Sequence, residues 1–146
     1  MRVLYLQAPL PEPPAEAEEG AAPPALRWLV LDDADDEVRA RGEALEDAAR
    51  YAADVGVDRT ALVVPGEHVL LTAVRVPARQ RRQLERALPY VVEEHLAEDV
   101  EGMHLAAGGR DAGGSVGVAA IRPALLERWL EVAREAGLEV DAARVD

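Results

Sequence analysis

The sequence predicts a mixed α/β fold, because short apolar segments typical of β-strands alternate along the chain with longer segments that have helical periodicity. Glycine and proline stand between these segments, where they end strands and helices. Apolar residues make up 49% of the 146 residues, which is enough to bury a core in one domain or two small ones.

The first third of the chain is predicted to contain two strands and a helix. Residues 2–7 and 26–31 are short apolar runs of strand type. The Pro- and Glu-rich residues 8–25 between them predict a long flexible hairpin loop, which is either disordered or meets a partner. After an acidic turn, apolar residues recur at helical spacing over residues 43–54, and Gly56 is placed to end this helix.

The middle third is predicted to contain two strands and a long helix. Residues 60–64 and 68–76 are predicted as strands that meet at a tight Pro-Gly bend. The helix is predicted over residues 79–97. A kink is expected at Pro89, because proline cannot donate the backbone hydrogen bond that the helix requires.

The last third is predicted to contain a strand pair, a helix and the start of another strand. Residues 102–107 and 116–121 form the predicted pair, joined by a Gly-rich turn. Pro123 is predicted to open the helix and Gly137 to end it. The final strand is predicted to start at residues 138–140.

Composition excludes several classes of function. The chain has 28 acidic and 16 basic side chains, for a formal charge of −12, and every basic residue is arginine. Without lysine there is no P-loop lysine and no Schiff base, and an acidic chain with 3% aromatic residues is poorly suited to nucleic acid. The absence of cysteine and of any apolar run of membrane-spanning length predicts a cytoplasmic protein without disulfides.

One motif raises the possibility of a catalytic serine. The segment GGSVG matches the G-x-S-x-G pattern of a nucleophile elbow and would make Ser115 the nucleophile. The elbow requires a strand before the serine and a helix after it, with a histidine further downstream. Here a loop precedes Ser115, a strand follows it, and the last histidine is His104. We therefore predict a hairpin turn and no catalytic residue.

Metal and nucleotide sites are not favoured either. The three histidines lack the spacing of a zinc site, and the acidic residues between positions 93 and 101 lack the register of a calcium loop. An actin-like nucleotide site would need a glycine-bearing turn between the first two strands, whereas this turn is rich in proline and glutamate. The three histidines are His68, His95 and His104. The sequence therefore predicts no cofactor and no metal.

The predicted helix over residues 79–97 carries the candidate partner-binding surface. Its arginines lie toward the N-terminal end and its carboxylates toward the C-terminal end, and both placements oppose the helix macrodipole. Because local stability does not favour this polarity, we predict that a protein partner does; the alternative is an ordinary solvated helix face. The candidate residues are Arg79, Arg82, Arg86, Tyr90, Glu93, Glu94, Glu98 and Asp99.

Two long motifs, VVPGEHVLL and ALPYVVEEHLAEDVE, stand between an opening MRVLYLQ and a closing EAGLEVD. Together they resemble the cytoplasmic domain of the type II secretion system protein L, over almost the whole chain. The resemblance implies an actin-like region made of RNase H-like subdomains with an inserted strand-helix-strand-strand-helix unit. It places the first part of an RNase H-like subdomain at residues 1–65, the inserted unit at residues 66–137, and a truncated return strand at residues 138–146.

The same resemblance implies a non-catalytic scaffold that recruits the secretion ATPase, protein E, to the cytoplasmic side of the bacterial inner membrane. The implied partners are the N-terminal domain of protein E and other platform proteins such as protein M, with a membrane anchor expected downstream of Asp146. Two other hypotheses stay open. One is an actin-like nucleotide-binding ATPase, and the other is a self-associating module that forms a homodimer through exposed strand edges.

Overall fold

The computed structural model forms two compact units. The first comprises Met1–Glu67 and Glu127–Asp146, and the second comprises His68–Leu126, so the second unit is inserted in the sequence of the first. The structure describes residues 1–9, 26–75, 81–93, 102–110 and 113–146.

Strands and helices alternate along the chain, which confirms the predicted α/β class. The strands are β1 (Arg2–Gln7), β2 (Arg27–Asp32), β3 (Glu37–Gly42), β4 (Arg59–Val64), β5 (Leu70–Arg75), β6 (His104–Arg110), β7 (Ser115–Ile121) and β8 (Ala142–Val145). The helices are α1 (Leu45–Asp54), α2 (Arg81–Val92) and α3 (Pro123–Glu135), and a 3₁₀ turn covers Gly66–His68. Along the described residues, no helix combines the length and apolar character that a membrane span requires.

The first unit is built on a mixed sheet with the strand order β3-β2-β1-β4-β8. β1 pairs antiparallel with β2, which confirms the predicted hairpin. On its other edge β1 pairs in parallel with β4, and β4 pairs in parallel with β8. Most of the predicted hairpin loop, residues 10–25, lies outside the described residues.

One face of this sheet forms the core of the first unit. Leu4 and Leu6 on β1, Val30 on β2 and Leu62 on β4 are all fully buried. The pairing register places Leu4 beside Val30 and Leu6 beside Leu62, so these side chains point to the same face. Burial of four such aliphatic side chains stabilises the unit by roughly 1.5–3 kcal/mol each.

α1 packs on this buried face beside Trp28. The indole Nε1 of Trp28 donates a hydrogen bond of 2.9 Å to the carbonyl of Ala44, directly before the helix. The indole ring also lies 6.4 Å from the ring of Tyr51 between centroids, and the fully buried Ala48 permits close approach of the helix. Gly56 follows with φ of 89°, the left-handed conformation that ends helices, which confirms the predicted stop.

α3 begins at Pro123 and ends before Gly137, as predicted. The N–H of Gly137 donates to the carbonyl of Arg134 at 2.9 Å, and the N–H of Leu138 donates to the carbonyl of Ala133 at 3.0 Å. These two bonds form the Schellman motif, in which the residue after the glycine completes the helix end. Leu138 is therefore buried as part of the helix end and does not start a strand.

The return strand starts at Ala142, later than the predicted start at residues 138–140. Aspartate side chains fix one of its ends to β4 and the other to the 3₁₀ turn that follows β4. The Oδ2 of Asp141 accepts a hydrogen bond of 2.8 Å from the N–H of Thr60, and the Oδ1 of Asp146 accepts one of 2.9 Å from the N–H of Gly66. These side-chain bonds extend the short ladder of β8 beyond its four residues.

β3 is absent from the sequence prediction. It pairs with β2 at the edge of the sheet and follows a turn in which Asp36 adopts a φ of 56°. Its sequence, EVRARG, lacks the apolar alternation of a half-buried strand, and Val38 exposes 53% of its surface. An exposed edge strand of charged residues gives no periodic signal, so pattern alone does not identify it.

The second unit is built on an antiparallel sheet with the order β5-β7-β6, covered on one face by α2. The predicted pair of strands is confirmed as β6 and β7, although β6 continues through the expected turn to Arg110 with a register shift after Ala107. The expected meeting of two strands at the Pro-Gly bend is wrong in one respect. β4 and β5 lie in different sheets, and a 3₁₀ turn connects them.

Candidate functional site

The inner side of α2 is anchored in the core of the second unit. Val92 is fully buried in a cluster with Val74, Val116 and Val118, and Ala87 packs against the same cluster. Because these contacts fix the rotation of the helix about its axis, the side chains on its opposite side face the solvent.

The exposed side of α2 carries two arginines and a tyrosine. Arg82, Arg86 and Tyr90 are spaced four residues apart, so they follow one another along one side of the helix. All three are exposed, and Tyr90 exposes 77% of its surface. We call these three side chains the α2 stripe. An exposed aromatic residue beside arginine has the composition that protein interfaces favour.

The α2 stripe is positively charged in a protein whose formal charge is −12. Within the part of the chain that the structure describes, neither Arg82 nor Arg86 forms an ion pair. Arg82 lies in the first turn of α2, which contains no acidic residue, so its positive charge opposes the helix macrodipole. Arginine is well suited to recognise a carboxylate, because its guanidinium group can donate two parallel hydrogen bonds to it.

The structure describes half of the candidate partner-binding residues and places them on or directly after α2. The helix is continuous through Pro89 from Arg81 to Val92. The candidates on or beside it are Arg82, Arg86, Tyr90 and the exposed Glu93. The candidates that lie outside the described residues are Arg79, Glu94, Glu98 and Asp99.

The local structure around Ser115 does not match a nucleophile elbow. Ser115 is the first residue of β7, and the chain continues as a strand where the elbow requires a helix. Gly114, directly before it, has a φ of 83°, which is typical of a turn. Among the residues that the structure describes, no group of three or more His, Asp or Glu side chains is placed to hold a metal ion.

The acidic turn between β2 and β3 is organised by Arg39. Its guanidinium contacts the carboxylates of Asp35 and Glu37, the latter at 3.0 Å, and lies 3.6 Å from Asp32. The backbone N–H of Ala34 donates to Asp32 at 3.2 Å and, with the nearby Met1 amino group and Arg39, lowers the pKa of this carboxyl group. These carboxylates are satisfied within the turn, which is therefore a solvated ion network.

A second surface, which the sequence analysis did not identify, lies on the face of the first sheet opposite the core. The described residues on this face are mainly apolar and surround a recess of about 130 Å³. The signal in the sequence was the nearly continuous apolar character of β1 and β4, which is typical of parallel strands covered on both faces. We call this surface the open face because no described helix lines its recess. Its apolar members are the buried Val3 and Ala61 and the half-buried Tyr5, Leu29, Leu31 and Val63.

The family model that the chain matches is described as Type II secretion system (T2SS), protein L, and the match covers residues 18–146. The protein of that name from Pseudomonas aeruginosa is 42% identical over 85 residues, which cover 58% of this chain and 22% of the relative. The one from Vibrio cholerae is 35% identical over 97 residues, covering 64% and 24%. The one from Dickeya chrysanthemi is 28% identical over 123 residues, covering 84% and 31%.

Two solved structures resemble the fold. The cytoplasmic domain of EpsL, an inner-membrane component of the type II secretion system of Vibrio cholerae, superposes with a TM-score of 0.67 at 23% identity. This match covers 99% of the chain and 56% of EpsL's domain. A PilM-PilN type IV pilus biogenesis complex gives a TM-score of 0.61 at 17% identity, covering 98% and 47%. The chain thus spans about half of these solved chains and less than a third of the curated relatives.

Proposed function

The chain belongs to the family of type II secretion system protein L, and from this premise we propose that it is a non-catalytic scaffold of the inner-membrane platform of that system. In this role it binds the N-terminal domain of the secretion ATPase, protein E, on the cytoplasmic side of the membrane. Its adaptor function consists of surface recognition, without a covalent step. Protein M and other platform proteins are further partners of the longer protein.

The α2 stripe is the single observation that supports this proposal most strongly. Two arginines without an ion pair among the described residues lie beside a tyrosine that exposes 77% of its surface. Holding a cation such as Arg82 in the first turn of a helix costs about 0.3–1 kcal/mol. A partner with carboxylates opposite Arg82 and Arg86 would offset this cost and give the positive charge of the stripe a function.

Binding of the cognate ATPase N-terminal domain, measured by surface plasmon resonance at several salt concentrations, tests the proposal. We expect Arg86→Glu to slow association about tenfold and to reduce its salt dependence, because a steering attraction becomes a repulsion. The matched control is Arg128→Glu on α3, which reverses an exposed helical arginine elsewhere in the chain. Equal effects of the two variants would show that net charge, and not the α2 stripe, controls binding.

The contribution of Tyr90 is tested separately, through the rate of dissociation. Tyr90→Ala should accelerate dissociation and weaken binding by about 2 kcal/mol, roughly thirtyfold in Kd, as expected for an aromatic anchor at an interface centre. An unchanged dissociation rate would mean that Tyr90 is not part of the interface.

Calorimetry with Mg-ATP on the longer cytoplasmic region tests the enzyme hypothesis. Binding of Mg-ATP accompanied by turnover would show that the protein is an ATPase and would contradict the scaffold function.

A further inference from the structure

The outer strand of the second sheet, β5, has a free edge. β7 pairs with β5 along its whole length, from Leu70 to Arg75, without a register shift. Among the strands that the structure describes, none pairs with the other side of β5. Its outward N–H and C=O groups therefore form a regular row that can accept another strand.

The side chains of β5 do not protect this edge. Leu70, Leu71 and Ala73 are exposed, and Leu71 exposes 61% of its surface. The single charged residue of the strand, Arg75, stands at its end. An exposed apolar strand with a free edge is the type of element to which a further strand is added most readily.

The other sheet edges in the described part of the chain are protected in the ways that natural sheets use. β3 carries charged residues, and its pairing with β2 contains an irregularity in register. β8 is only four residues long. β6 shifts its register with β7 after Ala107. Of the four edges that the described strands form, β5 alone lacks charge within the strand, a short length or a register shift.

The distribution of charge favours a second copy of the chain as the occupant of this edge. Residues 68–126 contain seven acidic and seven basic side chains, whereas the first unit holds the remaining 21 acidic and nine basic ones. The whole formal charge of −12 thus belongs to the first unit. A contact between two second units brings no net charge against a like charge, as a contact between two first units would.

The sequence of β5 also matches itself in antiparallel orientation. A twofold axis beside Thr72 would pair this residue with its own copy, Leu71 with the partner's Ala73, and Leu70 with the partner's Val74. Each of these pairs is apolar except threonine with threonine, which is itself a favourable cross-strand pair. Arg75 lies beyond this ladder, so the two arginines do not oppose each other.

We propose that the free edge of β5 is an interface between two copies of this chain, joined in one six-stranded sheet with the order β6-β7-β5-β5-β7-β6. The twofold axis is perpendicular to the sheet, so the α2 helices of both copies cover the same face. The pair presents two α2 stripes on that face, which allows bivalent binding of a partner that recognises them. The pairing of the strands does not depend on what the α2 stripe binds.

Disulfide formation tests the position of the twofold axis, because the chain has no cysteine of its own. Opposed residues of antiparallel strands have Cα atoms about 4.5–5.5 Å apart, a separation that a disulfide can bridge. We expect mild oxidation of Thr72→Cys to give mainly a covalent dimer on non-reducing electrophoresis. The control is Val38→Cys on the edge strand β3, which should stay mainly monomeric although position 38 is 53% exposed. Equal yields of dimer from the two variants overturn the proposal.

Sedimentation equilibrium measures the association without any cross-link. We expect a concentration-dependent dimer that Ala73→Lys weakens at least about tenfold, because charge on a free edge opposes strand pairing. Ala40→Lys on β3 is the matched control and should leave the dimer intact. Circular dichroism of each variant confirms that the sheets are retained.

The same measurements in the chain extended to the full cytoplasmic domain separate this interface from an effect of chain length. We expect the same dimer there, since the proposed contact lies wholly within residues 68–126. A dimer confined to the 146-residue chain overturns the proposal, as does a monomer at every concentration. A dimer that Ala73→Lys does not weaken also overturns it, because another surface then joins the two copies.

Discussion

At the scale of single residues, Gly42 is required because the Trp28 indole lies against it. A Cβ at position 42 would lie 2.9 Å from Nε1 of Trp28 and 3.0 Å from two ring carbons. Trp28 cannot easily move, because it is 7% exposed and its Nε1 is bonded to the Ala44 carbonyl. The pairing of Trp28 with Gly42 across β2 and β3 is therefore a fixed contact.

Gly42→Ala should lower the free energy of unfolding by about 1–3 kcal/mol, because the added methyl group overpacks the site and displaces the indole. Urea unfolding followed by tryptophan fluorescence measures the change. Gly117→Ala is the control, since a Cβ at that strand position meets no atom within 4 Å. A loss of stability equal to that of the control would mean that the indole relaxes freely.

Asp32 gives the turn between β2 and β3 a dependence on pH. Its pKa is lowered in the folded state, chiefly by the hydrogen bond from the N–H of Ala34. A carboxyl group whose folded pKa lies below its unfolded value stabilises the fold above the unfolded pKa, and this contribution is lost as pH falls through the folded pKa. Asp32→Asn should therefore reduce the loss of stability on acidification below about pH 4.

Chemical unfolding at a series of pH values between neutral and about pH 3 measures this effect. Asp36→Asn in the same turn is the matched control, because its carboxylate forms no ion pair among the described residues. If both variants show the unchanged acid profile, the hydrogen bond to Asp32 contributes nothing measurable to folding.

At the scale of elements, sequence periodicity predicted those that bury an apolar face. β1, β2, β4 and α1 were predicted because their apolar residues repeat at strand or helix spacing, and the glycine stops at positions 56 and 137 were predicted from their positions. The existence of β3 and the first residue of β8 could not be predicted from hydrophobic periodicity. β3 is a charged edge strand, and the hydrogen bonds of Leu138 in the helix cap delay β8, so neither follows from hydrophobic pattern.

The candidate site was predictable only in part for a similar reason. Helical spacing alone places Arg82, Arg86 and Tyr90 on one side of α2. Their exposure follows from the packing of Val92 and Ala87 against the second sheet, which is a long-range contact. The open face of the first unit required the strand order, because the residues that line its recess come from β1, β2, β4 and β8, which are distant in sequence.

The end of α3 allows a direct test at this scale. Gly137 has a φ of 85°, so Gly137→Ala should lower the free energy of unfolding by roughly 1–2 kcal/mol, because a Cβ disfavours this conformation. Gly137→Asn should lose less, since asparagine tolerates the left-handed region better than alanine does. Thermal unfolding of the three proteins measures the order. Equal stability of the alanine variant and the parent would contradict the Schellman motif.

At the scale of the whole molecule, charge is the dominant feature. A formal charge of −12 on 146 residues means that carboxylates repel one another across the surface, and this repulsion opposes the compact state. Sodium chloride raised from about 10 to 200 mM shortens the Debye length from roughly 30 to below 10 Å, so much of this repulsion is screened.

We therefore expect the urea midpoint at pH 7 to rise with salt over this range. The same titration near pH 4.7, the isoelectric point, should show a much smaller increase, because little net charge is then present. A midpoint that falls with salt at pH 7 would mean that favourable pairs, such as those around Arg39, outweigh the general repulsion.

The position of the second unit between β4 and the body of α3 has a consequence for synthesis on the ribosome. The hydrogen bond between Thr60 and Asp141 joins residues 81 positions apart, and the whole of residues 68–126 must be translated between them. The inserted sheet can thus be complete while β4 still lacks its outer neighbour. β4 of the first unit is translated before the second unit, but its partner β8 is translated after it. The edge of β4 therefore stays unpaired until the second unit has been made.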